Sequence, residues 1–130
     1  MIPLLLLLLA SPCSTATLGP LVSRPVLYAL RLAPVHVGEA SYYAPQFHGR
    51  LQADGEQHDQ RRLTAASNAI AMGLHIRVCR EDRPWRCVEV EVTDTGELYG
   101  RLIDLSRAAA GRLGMMTEGV VTINATVRRD

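Results

Sequence analysis

Three acidic side chains in this sequence could carry acid–base chemistry. Asp94 ends an alternating segment, 88–93, and the end of a strand can present a carboxyl group to a groove. Glu56 and Asp59 lie on a polar loop after a turn at 54–55. Carboxyl groups held close together push their pKa values apart, so that one keeps a proton near neutral pH. From the residues alone, however, Asp94 is better explained as a turn residue, and the other two as a solvated loop.

Two histidines, His48 and His58, occupy the same polar loop. Without a third ligand they make a weak case for a metal site. We therefore predict neither a metal nor another cofactor, and we expect His58 to lie at the surface. Asp104 is expected to cap the helix that follows it or to anchor the fold, rather than to do chemistry.

The composition excludes several classes of partner. The 130 residues carry 14 basic and 13 acidic side chains, a net charge of +1, which provides no basic field for nucleic acid or an anionic membrane. All the basic residues are arginine, so no lysine can form a Schiff base. One tryptophan, four tyrosines and one phenylalanine are too few for a platform that stacks single-stranded bases.

The first sixteen residues have the pattern of a secretory signal peptide. The apolar run over 2–10 is too short to span a bilayer, and small residues lead to a cleavage point after Ala16. The alternatives are a misplaced start codon, a buried strand, or a lipid anchor at Cys13. Residues 17–34 contain three prolines and predict an extension or linker before a domain at 35–130. We expect an exported protein of the periplasm or cell envelope.

Export would leave Cys79 and Cys87 as the two cysteines of the mature chain, in an oxidising compartment. They flank a turn between two segments with strand periodicity, 75–79 and 87–92. A hairpin with the cysteines opposite each other also pairs opposite charges across the strands: Arg77 with Glu89, and His75 with Glu91. The sequence therefore predicts a disulfide, the alternative being two reduced thiols on an exposed face.

The rest of the chain predicts short strands separated by turns and brief helices. The alanine-rich segment 63–69 predicts one or two helical turns. Ser106 can cap a helix that runs to Leu113 and ends at Gly114. Further strands are predicted at 41–43, 102–103 and 120–127. Five or six strands in about ninety residues indicate a mainly β protein, a small closed barrel.

Several segments of this sequence, taken in order, resemble the rare lipoprotein A (RlpA) family. The resemblance extends from Gly38 to about Val127, and its specificity lies in the order and spacing of the segments. They are Gly38-Glu39-Ala40-Ser41-Tyr42-Tyr43, Phe47-His48-Gly49-Arg50, Ala53-Asp54-Gly55-Glu56 with Asp59, Leu63-Thr64-Ala65-Ala66, Val92-Thr93-Asp94-Thr95-Gly96 and Gly100-Arg101-Leu102-Ile103-Asp104-Leu105-Ser106.

The resemblance implies a six-stranded double-psi β-barrel with one or two short helices. It also implies a lytic transglycosylase of the bacterial envelope, acting on the glycan strands of peptidoglycan. In that reaction the 6-hydroxyl of the sugar attacks its own anomeric carbon, and one carboxyl group can serve first as acid and then as base. Asp94 matches the family's key aspartate, and Glu56 and Asp59 match two further carboxylates.

The resemblance also indicates residues that contact the sugar, and it shows two departures. His48 lies in the family's Phe-His-Gly-Arg segment, which makes a contact with sugar plausible. Tyr42, Tyr43 and Arg50 could line a saccharide groove, the alternative for one of the two tyrosines being burial in the core. Ser67 stands where the family has a histidine; it can hydrogen-bond a carboxylate or a sugar but cannot titrate near neutral pH. The family's Arg-Gly-Pro after the aspartate is replaced here by Thr95-Gly96-Glu97.

Three functions of different kinds are consistent with these observations. The first is a lytic transglycosylase that prefers glycan lacking stem peptides, working in full or weakened by Ser67. The second is a glycan-binding barrel without turnover, and the third is an effector or structural protein that uses the barrel as a scaffold. Peptidoglycan glycan strands are the predicted partner in the first two, and nothing in the sequence indicates an oligomeric state.

Overall fold

Six strands and a short helix make up the domain that the computed structural model describes, residues 35–128. The predicted signal peptide at 1–16, the alternative lipid anchor at Cys13 and the linker at 17–34 lie outside the described residues. The strands are β1 (Val35–Tyr42), β2 (Thr64–Ala66), β3 (His75–Arg80), β4 (Cys87–Asp94), β5 (Ile103–Leu105) and β6 (Val121–Val127); the α-helix is α1 (Arg107–Leu113), and a 3₁₀ turn covers Pro45–Phe47.

The strands close into a barrel in the order β1-β5-β2-β4-β3-β6, with β6 pairing back onto β1. Two of the pairings, β1 with β5 and β2 with β4, are parallel, and the others are antiparallel. Alternate side chains of each long strand point inward, as Ile76 and Val78 do in β3. The aliphatic core fills the barrel, and the prediction of a mainly β, six-stranded double-psi barrel is confirmed.

The hairpin of β3 and β4 has the register predicted from the sequence. Cys79 pairs with Cys87, and the two form a disulfide. The predicted charge pairs also lie opposite each other across the strands: Arg77 with Glu89, and His75 with Glu91. The hairpin prediction succeeded because all of its determinants lie within a short stretch of chain.

Helix α1 begins and ends where its capping residues predict. The Ser106 Oγ accepts a hydrogen bond from the Ala109 N–H at 3.2 Å, which satisfies one of the free donors of the first turn. Gly114 adopts a left-handed conformation with φ of 72°, which ends the helix. Because Ser106 is the cap, the expectation that Asp104 caps this helix is wrong.

The segment 63–69 is a strand at its centre and not the predicted helical turn. Residues Ala65 and Ala66 of β2 are at most 1% exposed and lie between β4 and β5. Pairing on both edges supplies the backbone hydrogen bonds that a helix would otherwise provide, so tertiary structure overrides the helical preference of alanine. The small side chains also suit a central strand inside a narrow barrel.

Gly38 marks a place where the barrel wall leaves no room for a side chain. A Cβ at Gly38 would lie 2.8 Å from the Leu102 Cβ, which is too close for two carbon atoms. Gly111, on the exposed side of α1, has no atom within 4 Å of the corresponding position. Substitution by alanine should therefore have opposite effects at the two glycines.

We expect Gly38→Ala to lower the free energy of unfolding by about 1–3 kcal/mol, because Leu102 and the β1 backbone must move apart. Gly111→Ala should raise it by up to about 1 kcal/mol, since alanine is the better helix former. Urea unfolding of both variants beside the parent protein measures the two effects. Equal stabilities for all three proteins would contradict the close contact between Gly38 and Leu102.

Candidate functional site

A groove of about 460 Å³ lies at one end of the barrel, between the loop that follows β1 and the loop that follows β4. Its floor carries the ends of β2 and β4 and the middle of β5. The residues that line it are Tyr43, Phe47, Arg50, Leu51, Gln52, His58, Ala66, Asp94, Thr95, Gly96, Glu97, Leu98, Tyr99 and Asp104. The two carboxyl groups of its floor, Asp94 and Asp104, therefore share one groove with a third carboxyl group, Glu97, and with an imidazole, two phenols and a guanidinium.

Asp94 is the last residue of β4, and three donors hold its carboxylate. The Tyr43 hydroxyl donates to Oδ2 at 2.7 Å. The backbone N–H groups of Ala53 and Thr95 donate to Oδ1 at 2.8 and 2.9 Å. Thr95 supports the interpretation of Asp94 as a turn residue, but Tyr43 and Ala53 come from a distant part of the chain. The side chain is therefore fixed by tertiary contacts at the floor of the groove.

Asp104 lies in β5, on the other side of β2 from Asp94. Ala66 of β2 pairs with Asp94 on one edge and with Asp104 on the other, which separates the two backbones by two strand spacings, on the order of 10 Å. The Ser41 hydroxyl donates to the Asp104 Oδ1 at 2.8 Å. Burial raises the pKa of Asp104, while the Ser41 hydrogen bond and the charge of Arg101 oppose that shift and the negative charge of Asp94 adds to it. Asp104 thus shares the groove with Asp94, and its pKa lies above the ordinary value of an aspartate.

Tyr43 connects the two sides of the groove. Burial and the hydrogen bond to Asp94 both raise the pKa of Tyr43, so its hydroxyl stays a hydrogen-bond donor. The centroid of its ring lies 4.4 Å from the centroid of the His58 ring, which it meets edge to face, and 5.7 Å from the centroid of the Phe47 ring. Arg50 lies over the Phe47 ring at 5.0 Å. Both predicted sugar-contacting residues of this group, Tyr43 and Arg50, line the groove.

His58 is buried, with only 3% of its surface exposed, so the expectation of a surface histidine is wrong. Its backbone N–H donates to the backbone carbonyl of Arg50 at 2.7 Å, and its backbone carbonyl accepts from the N–H of Gly49 at 2.7 Å. This pairing turns the loop back on itself and directs the imidazole toward Tyr43. The sequence contained no signal for it, because the pairing depends on how the loop folds over the end of the barrel.

The His58 imidazole has one polar neighbour within hydrogen-bonding range. Its Nδ1 lies 3.4 Å from Gln52 Nε2, and its Nε2 has no partner. Burial and the nearby His48 lower the pKa of His58, while the charges of Asp94 and Asp59 oppose that shift. The groove therefore contains an imidazole that resists protonation.

Three of the predicted site residues lie beside the groove and not in it. His48, Glu56 and Asp59 line a neighbouring depression, which shares His58 with the groove. Asp59 is paired with Arg61, whose guanidinium lies 3.0 Å from it and lowers the pKa of Asp59. The structure brings these three together with one another but does not bring Glu56 or Asp59 to Asp94.

Ser67 is buried behind the groove, with 1% of its surface exposed, and does not line it. Its hydroxyl donates to the Leu102 carbonyl at 3.0 Å and accepts from the N–H groups of Ala69 and Ile70, both at 3.2 Å. Its N–H donates to the Asp94 carbonyl at 3.0 Å. The hydroxyl is fully used in holding the turn after β2. Among residues 35–128, no three His, Cys, Asp or Glu side chains are placed to hold a metal ion.

Comparison with known proteins identifies the family. The model of the lytic transglycolase family matches residues 35–125, which is more than half of the chain. The chain belongs to this family, the RlpA-like double-psi β-barrels, as the sequence segments predict.

Curated relatives of this chain are named RlpA. The endolytic peptidoglycan transglycosylase RlpA of Neisseria meningitidis is 37% identical over 87 residues, 66% of this chain and 36% of that protein. The probable endolytic peptidoglycan transglycosylase RlpA of Aquifex aeolicus is 40% identical over 93 residues, 71% of this chain and 41% of that protein. The chain thus spans less than half of the length of these relatives.

Solved structures support the fold. The Streptomyces papain inhibitor superposes with a TM-score of 0.60 at 24% identity, covering 76% of this chain and 98% of its own. The expansin of Clavibacter michiganensis superposes with a TM-score of 0.57 at 23% identity, covering 75% of this chain and 52% of its own.

The low pKa of His58 predicts a loss of stability in mild acid. Between its folded and unfolded pKa values, His58 binds more protons in the unfolded chain, so the free energy of unfolding falls as the pH drops below about 6.5. Replacing His58 with Phe keeps a ring beside Tyr43 and removes the titration. Urea unfolding at pH 7 and 5.5 should show a smaller loss for the variant than for the parent. Parallel losses in both proteins would contradict a lowered pKa at His58.

Proposed function

We propose that this domain is a lytic transglycosylase that cleaves glycan strands of peptidoglycan, preferably those lacking stem peptides, and leaves 1,6-anhydro-muramyl ends. The observation that carries the proposal is the pair of carboxyl groups in one groove, Asp94 and Asp104, with different surroundings. Family membership and relatives named for this activity support it.

Different surroundings suit the two carboxyl groups to different tasks. Asp104 is half-buried and has a raised pKa, so it is the proton donor. Asp94 is surrounded by donors on both of its oxygens and serves as the fixed negative charge. A negative charge beside the anomeric carbon stabilises the positive charge that develops there in the transition state.

The proposed reaction needs no protein group besides Asp94 and Asp104, and it consumes no water. Asp104 gives its proton to the glycosidic oxygen as the bond between that oxygen and the anomeric carbon breaks. The 6-hydroxyl oxygen of the same sugar bonds to the anomeric carbon, and its proton passes to the Asp104 carboxylate. The cycle ends with Asp104 protonated again, and the products are a free 4-hydroxyl end and an anhydro end.

The remaining predicted residues take supporting roles in this proposal. Arg50 and the Tyr43 ring line the groove and bind sugar there, while Tyr43 also orients Asp94. His48, Glu56 and Asp59 extend the binding surface into the adjacent depression, where further sugars of the strand would lie. Ser67 is assigned to the support of the Asp94 turn.

The substrate determines where the protein would work. Peptidoglycan lies outside the cytoplasm, so we propose an exported protein of the periplasm or cell envelope that meets its substrate there. None of the helices in the described part of the chain has the length and apolar character to cross a membrane. Cys79 and Cys87 form a disulfide. Because disulfides persist mainly in oxidising compartments, this cross-link supports a location outside the cytoplasm.

The test is product analysis with glycan strands stripped of their stem peptides. The parent protein should release anhydro-muramyl products, detected by mass spectrometry, and Asp104→Asn should lower the rate by about 10²-fold or more. In Asp104→Asn the amide oxygen can still accept from Ser41, so the fold should be preserved. Asp94→Asn keeps one oxygen for the Ala53 and Thr95 N–H groups and should also lose activity.

Glu81→Gln is the matched control, since Glu81 is exposed on the β3–β4 hairpin and does not line the groove. It should keep the activity of the parent. Equal product release by Asp94→Asn, Asp104→Asn and the parent would refute the assignment of these two aspartates.

Ser67 favours a second candidate function, a barrel that binds glycan without cleaving it. The family's histidine is replaced by this serine, and the serine hydroxyl is occupied by three backbone contacts. Incubation with peptidoglycan sacculi separates the two functions. Co-sedimentation with sacculi and no anhydro ends in the supernatant would select the binding module.

A further inference from the structure

Tyr99 has a backbone conformation that side-chain-bearing residues rarely adopt. Its φ is 50°, and no other residue except glycine in the described range 35–128 has a positive φ. It is followed by Gly100 with φ of 84°, and the Arg101 N–H donates to the Leu98 carbonyl at 2.9 Å. Two consecutive positive φ values within this hydrogen bond define a type I′ turn, which favours asparagine or glycine at its first central position.

Packing does not explain the tyrosine at this position. The side chain is 80% exposed, so it contributes little to the core. Natural sequences break a local rule mainly where another requirement is met, and strained backbone conformations concentrate at functional sites. The combination of a strained backbone and an exposed ring suggests that the ring itself is needed.

Two neighbours hold the Tyr99 ring in place although it is exposed. The hydroxyl donates to the Glu97 Oε2 at 2.9 Å. The Arg101 guanidinium carbon lies 5.9 Å from the ring centroid, within the range of a cation–π contact. Because Glu97 and Arg101 already restrict the ring, Tyr99 loses less conformational entropy on binding a ligand than a freely rotating side chain would.

The position of Tyr99 points to a ligand in the groove. Tyr99 lines the same groove as Asp94 and Asp104, on the side formed by the loop after β4. The opposite side carries Phe47 and Leu51, which are 37% and 75% exposed. Apolar side chains along both sides of a floor with two carboxyl groups match a pyranose ring, whose faces are apolar and whose edges carry hydroxyls.

We propose that Tyr99 is a substrate-binding platform, on which one sugar ring of the glycan strand stacks next to the carboxyl pair. This inference rests on the proposed function, because it takes the occupant of the groove to be an N-acetylated glycan. The ring presents an apolar face with a negative quadrupole, and the axial C–H groups of the sugar pack against it. Tyr99 thereby determines which bond of the strand lies over Asp94 and Asp104.

Tyr99→Asn tests the proposal without endangering the fold. Asparagine is the preferred residue of this turn, so the Tm should not fall. Binding should weaken by about tenfold, the equivalent of losing one aromatic stacking contact. The measurement is calorimetric titration of a peptide-free tetrasaccharide of alternating N-acetylglucosamine and N-acetylmuramic acid, in the Asp104→Asn background, which should prevent turnover.

Two further variants serve as controls. One separates the contribution of the Tyr99 ring from that of its hydroxyl, and the other tests whether the loss of an exposed aromatic side chain elsewhere also weakens binding. Tyr99→Phe removes the hydroxyl and keeps the ring, so its affinity should stay within about threefold of the reference protein. Trp85→Ala removes an aromatic side chain of similar exposure, 78%, from the hairpin that lies outside the groove, and it should bind as the reference does.

Titration of these four proteins, together with product analysis of the parent protein, distinguishes this inference from the proposed function. Undiminished binding by Tyr99→Asn, or equal losses in Tyr99→Asn and Trp85→Ala, would overturn the platform. A reference protein that does not bind the tetrasaccharide would overturn it as well. Binding that depends on Tyr99, combined with no release of anhydro ends by the parent protein that retains Asp104, would refute the catalytic function and leave the platform standing.

Discussion

The central constraint of this structure is the insertion of β2 between β4 and β5. The segment is three residues long and pairs in parallel with one neighbour and antiparallel with the other. Closure of the barrel depends on it, because the remaining strands form a sheet whose two free edges are those of β4 and β5. The same insertion places Ala66 between Asp94 and Asp104, so the register that closes the barrel also sets the spacing of the two carboxyl groups.

The two aspartates at this end of the barrel have unlike surroundings. The loop after β1 delivers the Tyr43 hydroxyl and the Ala53 N–H to Asp94, whereas Asp104 receives one hydroxyl, from Ser41 of β1. The donors to Asp94 thus come from loops and the donor to Asp104 from a neighbouring strand, while the distance between the two carboxyl groups comes from the barrel.

Local sequence patterns predicted what local interactions decide. The sequence predicted the β3–β4 hairpin, its disulfide and the caps of α1 at Ser106 and Gly114, because in each case the interacting residues lie close together in the chain. The strand at Ala65 and the burial of His58 were not legible, since each depends on pairing with distant residues. Asp94 was singled out as a candidate site residue only through the family resemblance. The presence of Asp104 in the groove could not be predicted, because it follows from the pairing of β2 with β5.

The disulfide lies at the opposite end of β4 from the groove. Cys87 begins the strand and Asp94 ends it, seven residues later, a distance of about 23 Å along an extended chain. Because Cys79 and Cys87 enclose only the hairpin turn, the cross-link restricts the unfolded chain and leaves the groove loops unrestrained. The cross-link that stabilises the domain and the loops that shape the groove therefore lie at opposite ends of β4, so a change at one end can leave the other undisturbed.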